Sequence, residues 1–294
     1  MMGRARRAWG SAEPSEEERL TMLKRKIGEV EALLSEGSEE CDEERFGTNG
    51  PVASGPSTRT VVRFPGERGD VVVIIGTSDH ARIPGHVERI SQIVDAAYTG
   101  AGKHKRVSTY DAMDRLEMGD AGPRANRVLH LAYKGEALVG CASSTFSPGW
   151  TPEGCGHWGL LAVDPEYQGA GVATALVIAA ERRLAQVSEA VQIEYEYTEG
   201  EDFSRRLMSW YESKLGFDGG PRPRHPGQRS FRRCFKDIPE DAQRRGQRRR
   251  LQEIRTWLAE QIAETEGSLS IRKSSTQSTR FPEEEVVEDE SSDD

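Results

Sequence analysis

The segment of this 294-residue chain richest in chemistry runs from Leu161 to Thr174, Leu-Ala-Val-Asp-Pro-Glu-Tyr-Gln-Gly-Ala-Gly-Val-Ala-Thr. An apolar run stops at Asp164-Pro165, and a turn holding Gly169 and Gly171 opens an Ala/Val/Leu-rich helical stretch over 171–185. Small residues let a backbone come close to a ligand. The first turn of a helix leaves N–H groups unpaired, and its dipole favours negative charge there. The N–H groups of roughly Gly169, Ala170, Gly171, Val172 and Ala173 are thus expected to suit a pyrophosphate; an ordinary strand–turn–helix connection is the alternative. Farther on, Val191–Tyr197 alternates apolar and polar residues, so Gln192, Glu194 and Glu196 share one strand face, opposite Val191, Ile193, Tyr195 and Tyr197. The two carboxylates are candidate proton acceptors; alternatively they face solvent or attract a cationic amine.

Other reactive side chains lead less far. Cys41, Cys141, Cys155 and Cys234 lie far apart with no CxxC pair, which argues against a disulfide scaffold and a sequence-local zinc site. Cys155 has His157 two positions on, a Cys–His pair in spacing only, and buried structural thiols are the favoured reading. His80, His86, His104, His130 and His225 show no metal-ligand spacing, and no metal is expected.

The elements that must position these groups fall within about residues 70–237. Val71–Ile75 is a strand candidate, followed by helices over 84–98 and 108–118. Val128–Tyr133 and Ala137–Ser144 flank the turn Lys134-Gly135-Glu136, and His157–Val163 is a further strand. After the helix at 171–185 come the strand 191–197, a helix over 203–214 ending at Gly216, a strand from Phe217 and a last one over 230–235. This order predicts an α+β fold, a mixed central sheet of about seven strands flanked by helices.

The ends differ in composition. Hydrophobic residues are only 35% of the chain, charged residues 30% and mean hydropathy is −0.67, too polar for one compact domain throughout. Residues 1–69 are expected to be an extension, with a helix over about 15–35 (Leu20, Leu23, Ile27, Val30, Leu34; Ser15 and Glu18 as a capping box) and a disordered Gly/Ser/Glu/Pro linker. A second helix is expected over 238–266, on the stripe Leu251, Ile254, Leu258, Ile262. It would pack on the core or pair with the first helix. Homo- or hetero-oligomerisation through these helices, as a coiled coil, is a further possibility. Residues 267–294 read as a disordered acidic tail, with eight acidic residues from Glu283 to Asp294. Removing those eight takes the net charge from −9 to −1. Nucleic-acid binding by the arginine-rich 222–250 stretch is disfavoured, since no aromatic residues interleave with its Arg244–Arg250 run. No apolar run approaches the ~20 residues that cross a bilayer. The basic start (Arg4, Arg6, Arg7) turns acidic over Glu13–Glu18, against a transit peptide, and the expected location is cytoplasmic, with nuclear and organellar locations as the alternatives.

Two motifs together carry a resemblance. Gln168-x-x-Gly171-x-Ala173, preceded by a strand and Val163-Asp164-Pro165, resembles the acyl-CoA-binding signature of the GNAT N-acyltransferase superfamily. Trp210-Tyr211-Glu212-Ser213-Lys214-Leu215-Gly216-Phe217 is similar to that family's "YEKLGF" segment, with one extra residue between Tyr and Phe. The likeness covers about residues 70–237. It implies acetyl-CoA as co-substrate and a primary amine as acceptor, whether small molecule, amino acid or protein amine, which attacks directly without an acyl-enzyme. It also implies a strand that splays from its neighbour, so that backbone groups of Leu161, Ala162 and Val163 bind the pantetheine arm. A backbone N–H near Leu161 would polarise the thioester carbonyl. Tyr211 falls where the family often has the acid that protonates the leaving thiolate, and His157 where it often has a Glu base; Glu194 and Glu196 are the other base candidates. The family's Asn ahead of the Tyr helix is missing from 198–204, and Ser204 is the candidate substitute.

Two alternatives stand beside this reading. Gly169-x-Gly171-x-x-Thr174, with Glu194 about 20 residues on, half-matches a dinucleotide loop, but five residues separate strand from first glycine. The other is a non-catalytic CoA-binding or scaffold module whose terminal helices recruit partners.

Overall fold

The computed structural model describes residues 14–36, 60–65, 69–100, 107–221 and 225–278, in two compact units. One spans Glu39–Leu251; the other joins Met1–Ser38 with Gln252–Asp294.

The larger unit holds one eight-stranded sheet. In chain order its elements begin with β1 (Thr60–Phe64), β2 (Val71–Ile75), α2 (Ser78–Ala81), α3 (His86–Gly100) and α4 (Thr109–Glu117); α1 belongs to the smaller unit. Then come β3 (Arg127–Lys134), β4 (Ala137–Thr145), β5 (Cys155–Val163) and α5 (Val172–Leu184). They are followed by β6 (Ala190–Thr198), α6 (Asp202–Met208) with a π-helical turn over Ser209–Lys214, β7 (Asp218–Gly219), β8 (Arg229–Asp237) and the start of α7 (Glu240–Ser278). The strand order is β1-β2-β3-β4-β5-β6-β8-β7. Only β5 and β6 run parallel, as the crossover through α5 requires.

The extra strand is β1, whose residues fall inside the stretch expected to be linker. Thr60-Val-Val-Arg-Phe pairs antiparallel with β2, and Arg63 meets Asp70 across the pair at 3.4 Å. Residues 37–59 and 66–68 of the expected linker, 222–224 of the arginine-rich stretch and the residues from 279 onward lie outside the described residues.

Period-2 patterning sorts the core to two faces. Ile90, Ile93 and Val94 of α3 and Ala112 and Leu116 of α4 pack on Leu129, Leu131, Cys141, Leu160 and Ala162. Val172, Leu176 and Ala179 of α5 pack on Val71, Val73, Ala132, Val139 and Ala142, the opposite face. The same side continues along Val191, Ile193, Tyr195 and Tyr197 of β6, which pack with Trp158, Tyr211 and Phe217.

In the smaller unit α1 (Glu16–Glu36) starts at a capping box: Glu18 N–H donates to Ser15 Oγ and Ser15 N–H to the Glu18 carboxylate. It runs antiparallel to residues 252–278 of α7, with ion pairs Glu16–Arg272, Lys24–Glu266 and Glu31–Arg255. The helix therefore continues 12 residues past the expected end at 266, and 267–278 are helical where a disordered tail was expected. Gly267, Ser268 and Ser270 weaken the sequence signal there, while Arg272 supplies an ion pair with Glu16 that composition does not reveal.

Candidate active site

β5 and β6 are paired only at Cys155–Ala190, Gly156–Val191 and His157–Gln192. Beyond His157, β5 stays on β4 as far as Val163, and β6 stays on β8 as far as Thr198. The two strands thus part, leaving a wedge-shaped gap with His157 and Gln192 at its closed end.

One wall of the gap is irregular. Cys141 pairs with Ala162 and Ser143 with Gly159, so Ala142 faces both Leu160 and Leu161 in a β-bulge. Leu160 takes φ +51°, the only positive φ at a non-glycine among the described residues. Such a conformation costs ~1–3 kcal/mol and is kept where surrounding packing over-determines it. The buried Leu160 is held by the α3/α4 cluster, whereas Leu161 packs towards α5.

At the open end of β5 the chain turns sharply. Asp164 N–H donates to the Val139 carbonyl at 2.9 Å, its carboxylate accepts from Glu166 N–H at 2.9 Å, and Arg89 of α3 forms an ion pair with it. Pro165 then begins a single 3₁₀ turn. Gly169 and Gly171 have φ +78° and +82°, a region that strains any residue with a Cβ. Gly169 has open space where a Cβ would stand, and at Gly171 that atom would lie 3.0 Å from the Phe64 ring. Ala170 N–H donates to Tyr167, but the N–H groups of Gly169, Gly171, Val172, Ala173 and Thr174 have no backbone acceptor among the described residues. Gln168 is exposed beside them. A shallow cradle of free donors at a helix N-terminus fits a diphosphate.

Tyr211 sits in the π-helical turn. Leu215 N–H reaches back five residues to Trp210 O at 3.0 Å, and Phe217 N–H to Tyr211 O at 3.1 Å. The extra residue in the motif is absorbed here, as a π-turn widens a helix by one residue without moving its ends out of register. Tyr211 is 8% exposed, with its ring 4.9 Å from Tyr195 and 5.9 Å from Trp158. Burial pushes its phenol well above the ordinary tyrosine range, with Tyr98 of α3 and Cys234 adding to the rise. It therefore holds its proton throughout the working pH range.

The other expected site residues divide between the faces. His157 is half-buried on the α3/α4 face, its ring 5.7 Å from Trp150 and folded over Gly159, where a Cβ would come within 2.8 Å of the imidazole. Glu194 pairs with Arg233 of β8 at 2.9 Å, and Glu196 with Arg229. Both carboxylates lie on the sheet face away from Tyr211 and are matched by β8 cations, a pairing that depends on a strand order the sequence does not display. Ser204 is a correction. It is fully buried, accepting from Thr198 N–H at 3.1 Å and donating to Glu201 at 2.8 Å, so it ties the β6–α6 corner instead of presenting a hydroxyl to CoA. Burial pushes the Cys141 thiol up to about 12 and raises that of Cys155, the opposite of nucleophile activation. No group of three or more metal-ligating side chains occurs among the described residues.

The sequence model of the acetyltransferase (GNAT) family matches residues 87–217. That segment is a GNAT acetyltransferase domain. The match to the GNAT domain opens in α3 and closes at Phe217, so β1, β2, β7 and β8 complete the sheet outside it. Solved structures of similar fold include the GNAT domain of S. lividans PAT, at 16% identity and TM-score 0.43, over 60% of this chain and 96% of that one. Another is PaiA N-acetyltransferase from Thermoplasma acidophilum in complex with coenzyme A, at 12% and 0.44, over 57% and 99%. A third is the NatC complex bound to Gag peptide and CoA, at 19% and 0.42, over 57% and 99%. No curated protein sequence matches the chain. The dinucleotide alternative loses its context in the GNAT domain: the glycine turn follows the fifth strand of a largely antiparallel sheet, and Glu194 is ion-paired.

Proposed function

We propose that the chain is an N-acyltransferase that moves an acetyl group from acetyl-CoA to a primary amine by direct attack. The observation that carries this reading is the gap between β5 and β6, with a bulged strand as one wall, a cradle of free N–H groups at its open end and a buried, protonated tyrosine beside it. Acetyl-CoA supplies the activated acyl group as a thioester. The N–H groups of Gly169, Gly171, Val172 and Ala173 hold its diphosphate, Gln168 borders them, and the Ala170 N–H is already given to the Tyr167 carbonyl. Backbone groups of Leu161 to Val163 bond the pantetheine amides, and an N–H at the bulge, near Leu161, stabilises the charge that builds on the carbonyl oxygen.

His157 takes the proton from the attacking amine; Glu194 and Glu196 are less suited, since their charges are already matched by Arg233 and Arg229. A C–N bond forms and the C–S bond breaks. Tyr211, which burial keeps protonated, gives its proton to the departing sulfur as the C–S bond breaks.

Tyr211→Phe tests this. Removing a general acid costs about 10²- to 10⁴-fold in turnover. Turnover should fall by that order while the dissociation constant for CoA, measured by calorimetry, stays within about twofold. Unchanged turnover removes Tyr211 from the mechanism. CoA binding with no acetylation of any amine class would favour the scaffold alternative, for which the paired terminal helices speak.

A further inference from the structure

Strand register places four polar side chains in one row across the sheet. Arg127 pairs with Thr145, Thr145 with His157, and His157 with Gln192, so all four project from the face that carries α3 and α4. At the Arg127 end of the row is a cavity of about 480 Å³, lined by Met118, Ala121, Arg127, Thr145, Pro148 and Trp150 among others. Trp150 joins this cavity to the candidate base. Its ring lies 5.7 Å from the Arg127 guanidinium carbon and 5.7 Å from the His157 ring.

One charged group in the row lacks a counter-charge. Arg127 uses its Nε–H on Thr145 Oγ1 at 3.0 Å, and no carboxylate among the described residues lies within ion-pair distance of it. Burial and the neighbouring Arg115 push its guanidinium pKa down, with Asp114 opposing only in part. A cation without a counter-charge beside an apolar wall, with the candidate base next to Trp150 of that wall, matches a ligand that carries an anion, an apolar group and an amine.

We propose that this cavity is the acceptor subsite and takes a free amino acid with an apolar side chain: carboxylate on Arg127, side chain against Trp150 and Met118, amine towards His157. This rests on the acyl-transfer reading above. The apolar wall argues for a hydrophobic side chain, since Trp150 is 50% and Met118 37% exposed at the cavity.

The test measures binding and turnover separately on the full-length chain. Phenylalanine is compared with phenethylamine, and leucine with isopentylamine, by calorimetry in the presence of CoA. The amino acids should bind at least about tenfold more tightly than the matched amines, as expected for a charge-assisted contact to arginine. Arg127→Gln should bring each pair to parity, and Trp150→Ala, at a half-exposed loop position, should weaken both members. Equal affinities in the unaltered protein overturn the proposal without recourse to any variant. Acetyl-CoA is then added and CoA release followed. Acetylation of amines with no preference for the acids overturns the subsite and keeps the acyl-transfer reading. Tight binding of the acids with CoA release only from other amines overturns their role as acceptors and keeps the acyl-transfer reading, whereas no CoA release with any amine class overturns both.

Discussion

At the residue scale, the placement of Tyr211 depends on its neighbour in sequence. Glu212 accepts from Tyr195 OH at 2.8 Å and from Arg232 at 2.7 and 3.0 Å, and Arg232 also donates to Tyr195 OH at 3.0 Å. Burial, and then Glu212 itself, keep the Tyr195 phenol protonated, so it remains a donor. This triad fastens the π-helical turn to β6 and β8, and Tyr211 rides on that turn. Arg232→Met leaves a carboxylate, 21% exposed, without its cation. Breaking one partner of such a pair costs about 3–5 kcal/mol when fully buried, so a loss nearer 2–3 kcal/mol is expected here. Urea denaturation measures it. A milder variant, Glu212→Gln, should lower turnover more than it raises the acetyl-CoA KM, because it loosens an acid and leaves the diphosphate cradle alone. The tyrosine motif is legible in sequence; the triad is not, since Glu212 and Arg232 come together only through a β6–β8 pairing that brings residues 20 apart into contact.

At the element scale, the glycine turn into α5 was readable because Asp-Pro, two glycines and an Ala/Val/Leu run each have a local meaning. Asp164 caps, Pro165 starts a turn, and Gly169 and Gly171 take positive φ. The bulge in β5 had no such signal. Leu160 is an ordinary apolar residue in an apolar strand, and its φ of +51° comes from packing and from the two-against-one register with β4. The expected base position at His157 could be counted from the turn, but the row from Arg127 to Gln192 could not, because it depends on three strand pairings at once. Gly171→Glu is the prediction for this element. The new side chain meets Phe64, adopts a φ it disfavours and sets a negative charge in the cradle. CoA affinity should fall at least about 100-fold, judged from the loss of charge-assisted hydrogen bonds and the added repulsion. The circular-dichroism spectrum should be unchanged. Retained affinity would move the diphosphate elsewhere.

At the scale of the whole molecule, the core contains an acid-sensitive element on the α5 face. His130 is fully buried, bonded through Nε2 to Ser144 Oγ at 2.8 Å, and its Nδ1 has no partner among the described residues. Arg183 also donates to Ser144 Oγ, at 3.1 Å, and is itself buried, reaching the Ala125 carbonyl and lying 3.7 Å over the Phe146 ring. Burial, with Arg183 next, pushes the His130 pKa down to about 3, against an ordinary 6.5. The folded chain therefore keeps this imidazole neutral, while the unfolded chain protonates it below about pH 6.5. Between those two values the unfolded state binds the extra proton, so stability is full above the upper one and falls as pH drops towards the lower. The slope from this residue alone is about 1.4 kcal/mol per pH unit, or ~4 kcal/mol by pH 3.5. Denaturant unfolding at pH 7, 6, 5 and 4.5 should show the decline, and His130→Gln should flatten it even though it lowers stability at pH 7. Ser144 pairs with Trp158, and Trp158 packs on Tyr211, so protonating His130 would disturb the wall behind the candidate acid before the chain unfolds. Activity lost on the acid side should then follow the Trp158 fluorescence reporting this packing, and His130→Gln should shift both together; loss of activity with that fluorescence unchanged would trace the acid limb to the site's own proton transfers instead.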